Sequence, residues 1–234
     1  MRPRCVAGDP LETGFKRIKP ERHSRGAPFL CIRQAYVSLP MIDPQLLLEE
    51  KLALRRVVRR ARVALSHGAR QRAERRVACF AARFVKNRKR IGGYLASGSE
   101  LDIEPLLCTA LERGAQVFLP VIPDRGRRLW FARLGPQDLW YCHPRYPLVE
   151  YAGPVLRVER LEVLFVPLLA VDEAGFRLGQ GGGFYDTSLG AAGEHRPLLV
   201  GVGFDCQRVR CVPREPWDVR LDYLVTESGV LRFR

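Results

Sequence analysis

Residues 161–186 read LEVLFVPLLAVDEAGFRLGQGGGFYD, and the reading of the fold starts there. Val163 to Val166 is a continuous run of apolar residues, three of them β-branched or aromatic. Such a run suits a strand buried on both faces of a parallel sheet, and Pro167 ends it. Asp172, Glu173 and Gly175 mark a polar loop, followed by Arg177-Leu178-Gly179-Gln180-Gly181-Gly182-Gly183. Four glycines in five positions leave a backbone free to reach positive φ and to approach a ligand closely. Phe184 to Leu189 reads as the first turns of a helix, so the loop empties onto a helix N-terminus. Unpaired N–H groups and the positive end of the helix dipole converge there, and phosphate is the ligand they suit.

Neither familiar phosphate pattern fits. A P-loop needs Lys-Ser or Lys-Thr after its last glycine, where this chain has Phe184-Tyr185; a dinucleotide fingerprint begun at Gly179 and Gly181 needs glycine at 184. A structural turn would explain the glycines alone. Their neighbours add chemistry: Arg177 can hold phosphate oxygens in a bidentate fork, and Asp186 can carry a hard cation such as Mg²⁺. Together they read as a nucleoside triphosphate site.

The stretch VPLLAVDEAGFRLGQGGGFYD also resembles the signature of the 5-formyltetrahydrofolate cyclo-ligases, or 5,10-methenyltetrahydrofolate synthetases. In that family Arg-Leu-Gly-x-Gly-x-Gly-aromatic-Tyr-Asp follows a buried strand. Some members carry Lys where this chain has Gly182, and others share the Gly-Gly-Gly form.

The composition is compatible with such an enzyme. At 234 residues, 47% hydrophobic and 27% charged, the chain is long enough for one substantial core or one core with an appendage. No apolar run approaches the ~20 residues of a membrane span. Seven cysteines, odd in number and without a C-x-x-C pair, point to reduced thiols and a cytoplasmic location rather than a disulfide or zinc framework. The four histidines are scattered and read as non-ligands. The net charge of +14 is concentrated: residues 51–90 hold fifteen Lys or Arg and a single acid, Glu74. Such a block suits nucleic acid, an anionic surface or polyanionic small ligands, and for most of these arginines a solvated helical face is the simplest account.

Residues 1–40 are irregular and basic, with no apolar core of a secretory signal. They share their basic, acid-poor composition with organelle presequences, but a translated leader or disordered tail ahead of a start at Met41 is the simpler expectation. Asp43-Pro44 starts a helix whose expected buried face is Leu47, Leu54, Val58, Ala61 and Leu65. Lys51, Arg55, Arg59 and Arg62 form another stripe, which by itself reads as solvated. A second helix is expected over 69–85, a strand over 91–95, a helix over 102–113 closed by Gly114, and strands over 116–120 and 129–134. Residues 135–157 read as a long surface excursion, and its aromatics, with Trp130 and Phe131, as packing rather than a ring-stacking site. Strands over 198–204 and 223–226 complete the sheet.

The resemblance runs in order from about residue 45 to about residue 230. It departs near Tyr151-Ala152-Gly153-Pro154, where the family often has Gly-Ile-x-Glu-Pro. It implies a single α/β domain over 41–234, with a mostly parallel open sheet layered by helices. The implied reaction is Mg²⁺- and ATP-dependent cyclisation of 5-formyltetrahydrofolate to 5,10-methenyltetrahydrofolate, ADP and phosphate, through a phosphorylated formyl group. ATP would be held by Lys51, Arg55, Arg177, Leu178, Gly179, Gln180, Gly181, Gly182, Gly183, Phe184 and Tyr185. The folate would lie against Leu95, Glu100, Gln180, Gly181, Gly182, Gly183 and Phe184. A carboxylate at 100 suits the pterin because it accepts two parallel N–H bonds. The metal falls to Asp186 and Asp218, the latter from a closing Asp-x-x-x-Asp whose second acid, Asp222, reads as opening the last strand. Arg177 and Tyr185 are the expected catalytic pair; Arg56, Arg59, Arg60 and Arg62 are assigned no site. A monomer is expected, with reduced folate and ATP as its partners and no nucleic acid or membrane. Two rivals remain: a basic RNA-associated protein using residues 51–90, and another ATP-using enzyme of this fold with a different acceptor.

Overall fold

The computed structural model describes residues 43–137 and 139–233; the expected basic tail lies outside them. Asp43 caps helix α1 (Pro44–Val63), its carboxylate accepting from Gln45 N–H at 2.9 Å, with Pro44 in the first turn. Ser66 caps α2 (His67–Ala81) in the same way, accepting from Ala69 N–H at 3.3 Å. The helix therefore begins two residues before the expected 69, and it ends before 85 in a short 3-10 turn, Ala82–Phe84.

Strand β1 (Arg90–Gly92) is shorter than the sequence suggests, although Gly93 N–H still donates to Phe118 O of the neighbouring strand at 2.9 Å. Helix α3 (Glu104–Glu112) leads to β2 (Gln116–Val121) and β3 (Trp130–Arg133). The expected surface excursion is partly ordered: β4 (Trp140–Cys142) and β5 (Val149–Tyr151) form a separate hairpin, and β6 (Val155–Leu156) joins the main sheet beside β3. The pivotal strand is β7 (Val163–Pro167), followed by a small hairpin, β8 (Ala170–Val171) and β9 (Arg177–Leu178). Helix α4 (Phe184–Ala192), β10 (Leu198–Val202), β11 (Tyr223–Thr226) and β12 (Gly229–Arg232) complete the chain.

The eight-stranded sheet has the order β12-β11-β10-β7-β1-β2-β3-β6. Its five central strands are parallel, and its edges are antiparallel. Both faces are covered. Phe165 packs with Val77, Ala81 and Leu106 from α2 and α3, whereas Leu164 and Val166 pack with Leu189 and Ala192 of α4. All three strand residues are fully buried, as a parallel strand layered on both sides requires.

From β1 the chain runs outward to β2, but β7 returns to the opposite flank of β1, in register Ile91 to Val163. The loops leaving the carboxyl ends of β1 and β7 therefore diverge and leave a crevice, the place where open α/β sheets bind ligands. Among the described residues no helix is long and apolar enough to cross a membrane. Cys79, Cys108, Cys142, Cys206 and Cys211 are free thiols.

Asp222 ties β10 to β11 as expected of a strand-opening residue. Its carboxylate accepts from both Arg196 Nη groups at 2.7 and 2.9 Å and from Leu199 N–H at 2.8 Å. Burial alone would raise this carboxyl, but the Arg196 and Leu199 hydrogen bonds outweigh it and hold it below the ordinary carboxylate value. The folded pKa being the lower one, the stabilisation is present above the unfolded value of about 4 and is lost as pH falls through the folded value. Urea midpoints followed from about pH 5 to about pH 2 should fall less steeply in Asp222→Asn than in the wild type. Identical slopes would contradict this reading.

Candidate active site

The glycine loop is positioned from below by the β8–β9 hairpin. Asp172 fixes the hairpin turn, with Oδ1 accepting from Ala174 N–H at 3.0 Å and Phe176 N–H at 2.9 Å. Gln207 joins the end of β10 to the segment after β7: its amide donates to Leu168 O and Leu169 O, and its Oε1 accepts from Phe204 N–H. Helix α1 lies against this platform. Val58, with Leu54 beside it, packs on Leu169, Ala170, Leu178 and Val212. That contact sets the rotation of α1 and turns its basic stripe inward.

The stripe was expected to contribute Lys51 and Arg55 only; the structure brings in four cations. Lys51 donates to Glu215 and, at 3.4 Å, to Asp218 on the closing loop. Arg55 Nε donates to Gly179 O at 2.9 Å, Arg59 to Gln180 Oε1 at 2.7 Å, and Arg62 Nε to Ser99 Oγ at 3.0 Å. Lys51 and Arg62 are buried, whereas Ala61, expected in the core, is exposed. Reading the stripe as solvated holds for Arg59, which is exposed, and fails for Arg62, which is buried, although the spacing 51, 55, 59, 62 is itself one helix face. Burial, then neighbouring Arg59, pushes the Arg55 guanidinium down. Arg55 has no ion pair among the described residues, which suits it to an anionic ligand.

The loop has the backbone its glycines suggest. Gly181 lies at φ 110° and Gly183, the cap of α4, at φ 70° with no side-chain capping bond, so the first N–H groups of α4 remain available to a ligand. A Cβ built on Gly181 would sit 3.6 Å from the Arg55 guanidinium carbon, and one on Gly183 would sit 3.5 Å from Arg127 Nη1. Arg127 comes from the β2–β3 connection, where no sequence pattern marks it.

Arg177 is buried rather than splayed towards solvent. One Nη donates to Asp186 Oδ1 at 2.8 Å and the other to Val219 O at 3.1 Å, so a single guanidinium braces both segments that carry the expected metal carboxylates. Asp218 Oδ2 also accepts from Glu215 N–H at 2.8 Å. Among the described residues no group of three or more His, Cys, Asp or Glu is gathered as a metal cage. Two hard carboxylates beside a phosphate cradle nevertheless suit Mg²⁺, which takes few protein ligands and completes its shell with phosphate and water.

Across the crevice, Glu100 Oε2 accepts from Ser97 N–H at 3.0 Å and Oε1 from the Gln180 amide at 3.1 Å. The β1 loop and the glycine loop thus meet through this pair, with exposed Leu95 nearby in sequence. Tyr185 is half-buried, but its hydroxyl is enclosed and has no hydrogen-bond partner among the described residues. Burial, with Glu100 adding to it, pushes the phenol well up, so it stays protonated.

A crevice at the switch point of an open, layered sheet places the chain among α/β proteins that take ligands at the carboxyl ends of their strands. Residues 48–227 match the 5-formyltetrahydrofolate cyclo-ligase family. The 5-formyltetrahydrofolate cyclo-ligase of Escherichia coli strain K12 is 38% identical over 144 residues, covering 58% of this chain and 77% of that protein. The Haemophilus influenzae enzyme of the same name is 32% identical over 184 residues, covering 76% and 98% respectively. The Aquifex aeolicus 5,10-methenyltetrahydrofolate synthetase superposes with a TM-score of 0.66 at 28% identity, over 79% of this chain and 93% of that one. The chain belongs to the 5-formyltetrahydrofolate cyclo-ligase family and is a ligase of that family.

Proposed function

We propose that the chain closes 5-formyltetrahydrofolate to 5,10-methenyltetrahydrofolate at the expense of ATP, releasing ADP and phosphate, as a cytoplasmic enzyme. The observation that carries this reading is the meeting of the inward cationic stripe of α1 with the glycine loop and the N-terminus of α4. The formyl oxygen is a poor leaving group until it is phosphorylated. It attacks the γ-phosphorus and displaces ADP; the neighbouring folate nitrogen then closes on the formyl carbon, and the carbon–oxygen bond breaks to release phosphate. No protein nucleophile is needed, so the chain contributes position and charge.

Lys51, Arg55 and the N–H groups around Gly181 and Gly183 would hold the phosphates, with Arg59 and Arg127 adding cations at the rim. Asp186 and Asp218 would hold Mg²⁺, which supplies charge neutralisation on the phosphate oxygens. Arg177 keeps the two carboxylates in place. Glu100, Leu95 and Gln180 would seat the folate, consistent with the link between the two loops.

Tyr185 would offer its unpartnered hydroxyl to the substrate. Tyr185→Phe is therefore expected to leave the melting temperature unchanged or raised, since a buried unsatisfied group costs about 1–3 kcal/mol, while lowering kcat. A drop in stability without loss of turnover would assign the hydroxyl to the fold instead.

The chemistry is tested by supplying substrate labelled with ¹⁸O in the formyl group. Transfer of the label into inorganic phosphate is the expected result. Unlabelled phosphate accompanying cyclised product would rule out attack by the formyl oxygen. The RNA-associated reading would instead require salt-steep RNA affinity that is insensitive to changes at Arg177 or Asp186.

A further inference from the structure

Arg62 is the deepest cation of the α1 stripe, only 2% exposed. Its Nε donates to Ser99 Oγ at 3.0 Å, and its own backbone carbonyl accepts from Arg70 Nη2 at 2.9 Å. Its Nη1 is enclosed and has no partner among the described residues. Leaving a buried charged donor unpaired is costly, so a position that retains one needs a physical reason.

The neighbouring acid supplies it. Burial pushes the Arg62 guanidinium down and Glu100, the residue after its Ser99 anchor, pulls it up, yet the two are not ion-paired among the described residues. Each Glu100 oxygen accepts one N–H, from Ser97 and from Gln180, which leaves acceptor capacity on a carboxylate with about four lone-pair sites. Glu100 thus offers acceptor capacity, and Arg62, near enough for the Glu100 charge to act on it, holds an unused donor that is enclosed without ligand and that an arriving ligand would have to uncover. That pattern is complementary to the 2-amino-4-oxo-pyrimidine edge of a folate, which presents an amino group, a ring N–H and a carbonyl oxygen in a row.

We infer that Arg62 is a specificity-determining residue whose Nη1 donates to the 4-oxo group of a folate seated on Glu100. The inference rests on the folate reading above and extends it from the carboxylate to the whole pyrimidine edge. Gln180, which links Arg59 to Glu100, would release the carboxylate as the substrate's own N–H groups arrive. A 4-amino group in place of the 4-oxo group would set donor against donor at Arg62. A site built around a hydrogen bond discriminates strongly against a ligand that cannot make it.

The test compares binding of 5-formyltetrahydrofolate and its 4-amino-4-deoxy analogue to wild type, Arg62→Met and Ser99→Ala, with the melting temperature and the KM for ATP measured on each. Wild type should prefer the 4-oxo compound by at least about tenfold. In Arg62→Met that preference should fall by at least about threefold, the remainder coming from Glu100, which loses its ring N–H partner in the analogue, with the KM for ATP changed less than about twofold. Ser99→Ala keeps the guanidinium but frees its Nε anchor, so the preference should fall only part of the way. If Arg62→Met does not fold, Ser99→Ala decides alone, and an unaltered preference there overturns the assignment. An unaltered preference in folded Arg62→Met overturns it equally, since a purely structural arginine would move the melting temperature and not the ratio. If the wild type binds neither compound, the folate reading fails and this assignment fails with it.

Discussion

Asp186→Asn should cut turnover by roughly two to three orders of magnitude, the loss typical when a preorganised charge facing a developing charge is removed. The substitution preserves shape and an oxygen for Arg177 but removes the negative charge proposed to hold Mg²⁺. Stability should suffer as well, because the Arg177 side chain is only 3% exposed and loses its carboxylate. Breaking a buried pair outright costs about 3–5 kcal/mol. The asparagine oxygen still accepts from Arg177, so the actual loss should be smaller, and Asp186→Ala should exceed it. Kinetics and thermal melting on the same preparations separate the two effects. Activity within a few fold of wild type would exclude Asp186 from the reaction.

Gly181→Ala should raise the KM for ATP by about tenfold or more, through the backbone rather than through crowding. The built Cβ meets the Arg55 guanidinium only at van der Waals distance, so space is available. The φ of 110° is what an L-residue resists, at a cost of about 1–3 kcal/mol. Relief of that strain would rotate the loop N–H groups away from the phosphates they are proposed to hold and shift Gly179 O, the acceptor for Arg55. Gly190→Ala, inside α4 with open space at its Cβ, is the contrast. It should stabilise by about 0.5–1 kcal/mol and leave the KM for ATP unchanged. Equal behaviour of the two variants would show that the left-handed backbone at Gly181 is not what binds.

The central strand, the glycine loop and the helix after it were legible because each is a local pattern: an apolar run, a cluster of glycines, a helix N-terminus. Lys51 and Arg55 were singled out through the resemblance of their spacing to the family's, and Arg55 does reach the loop at Gly179 O. Arg62 was not, because amphipathic reasoning sorts arginine to the solvent side, whereas here it is buried and bonded to Ser99; Arg59 is exposed as expected. The two-residue strand β6 was missed for a different reason: Val155–Leu156 is too short to show alternation, and only pairing with β3 makes it a strand. The contact of Lys51 with Glu215 spans 164 positions, and Arg127 reaches the loop from an irregular connection. Contacts of that kind follow from the order of strands in the sheet, and the sheet order has no local signature.

The most direct test of the account is formation of 5,10-methenyltetrahydrofolate from 5-formyltetrahydrofolate, followed by absorbance on the wild-type chain with Mg-ATP and with ATP or Mg²⁺ withheld. Product that appears only when both are present is the predicted result. Folded protein that binds Mg-ATP yet forms no product would contradict the assigned acceptor, and folded protein that does not bind ATP at all would contradict the phosphate cradle.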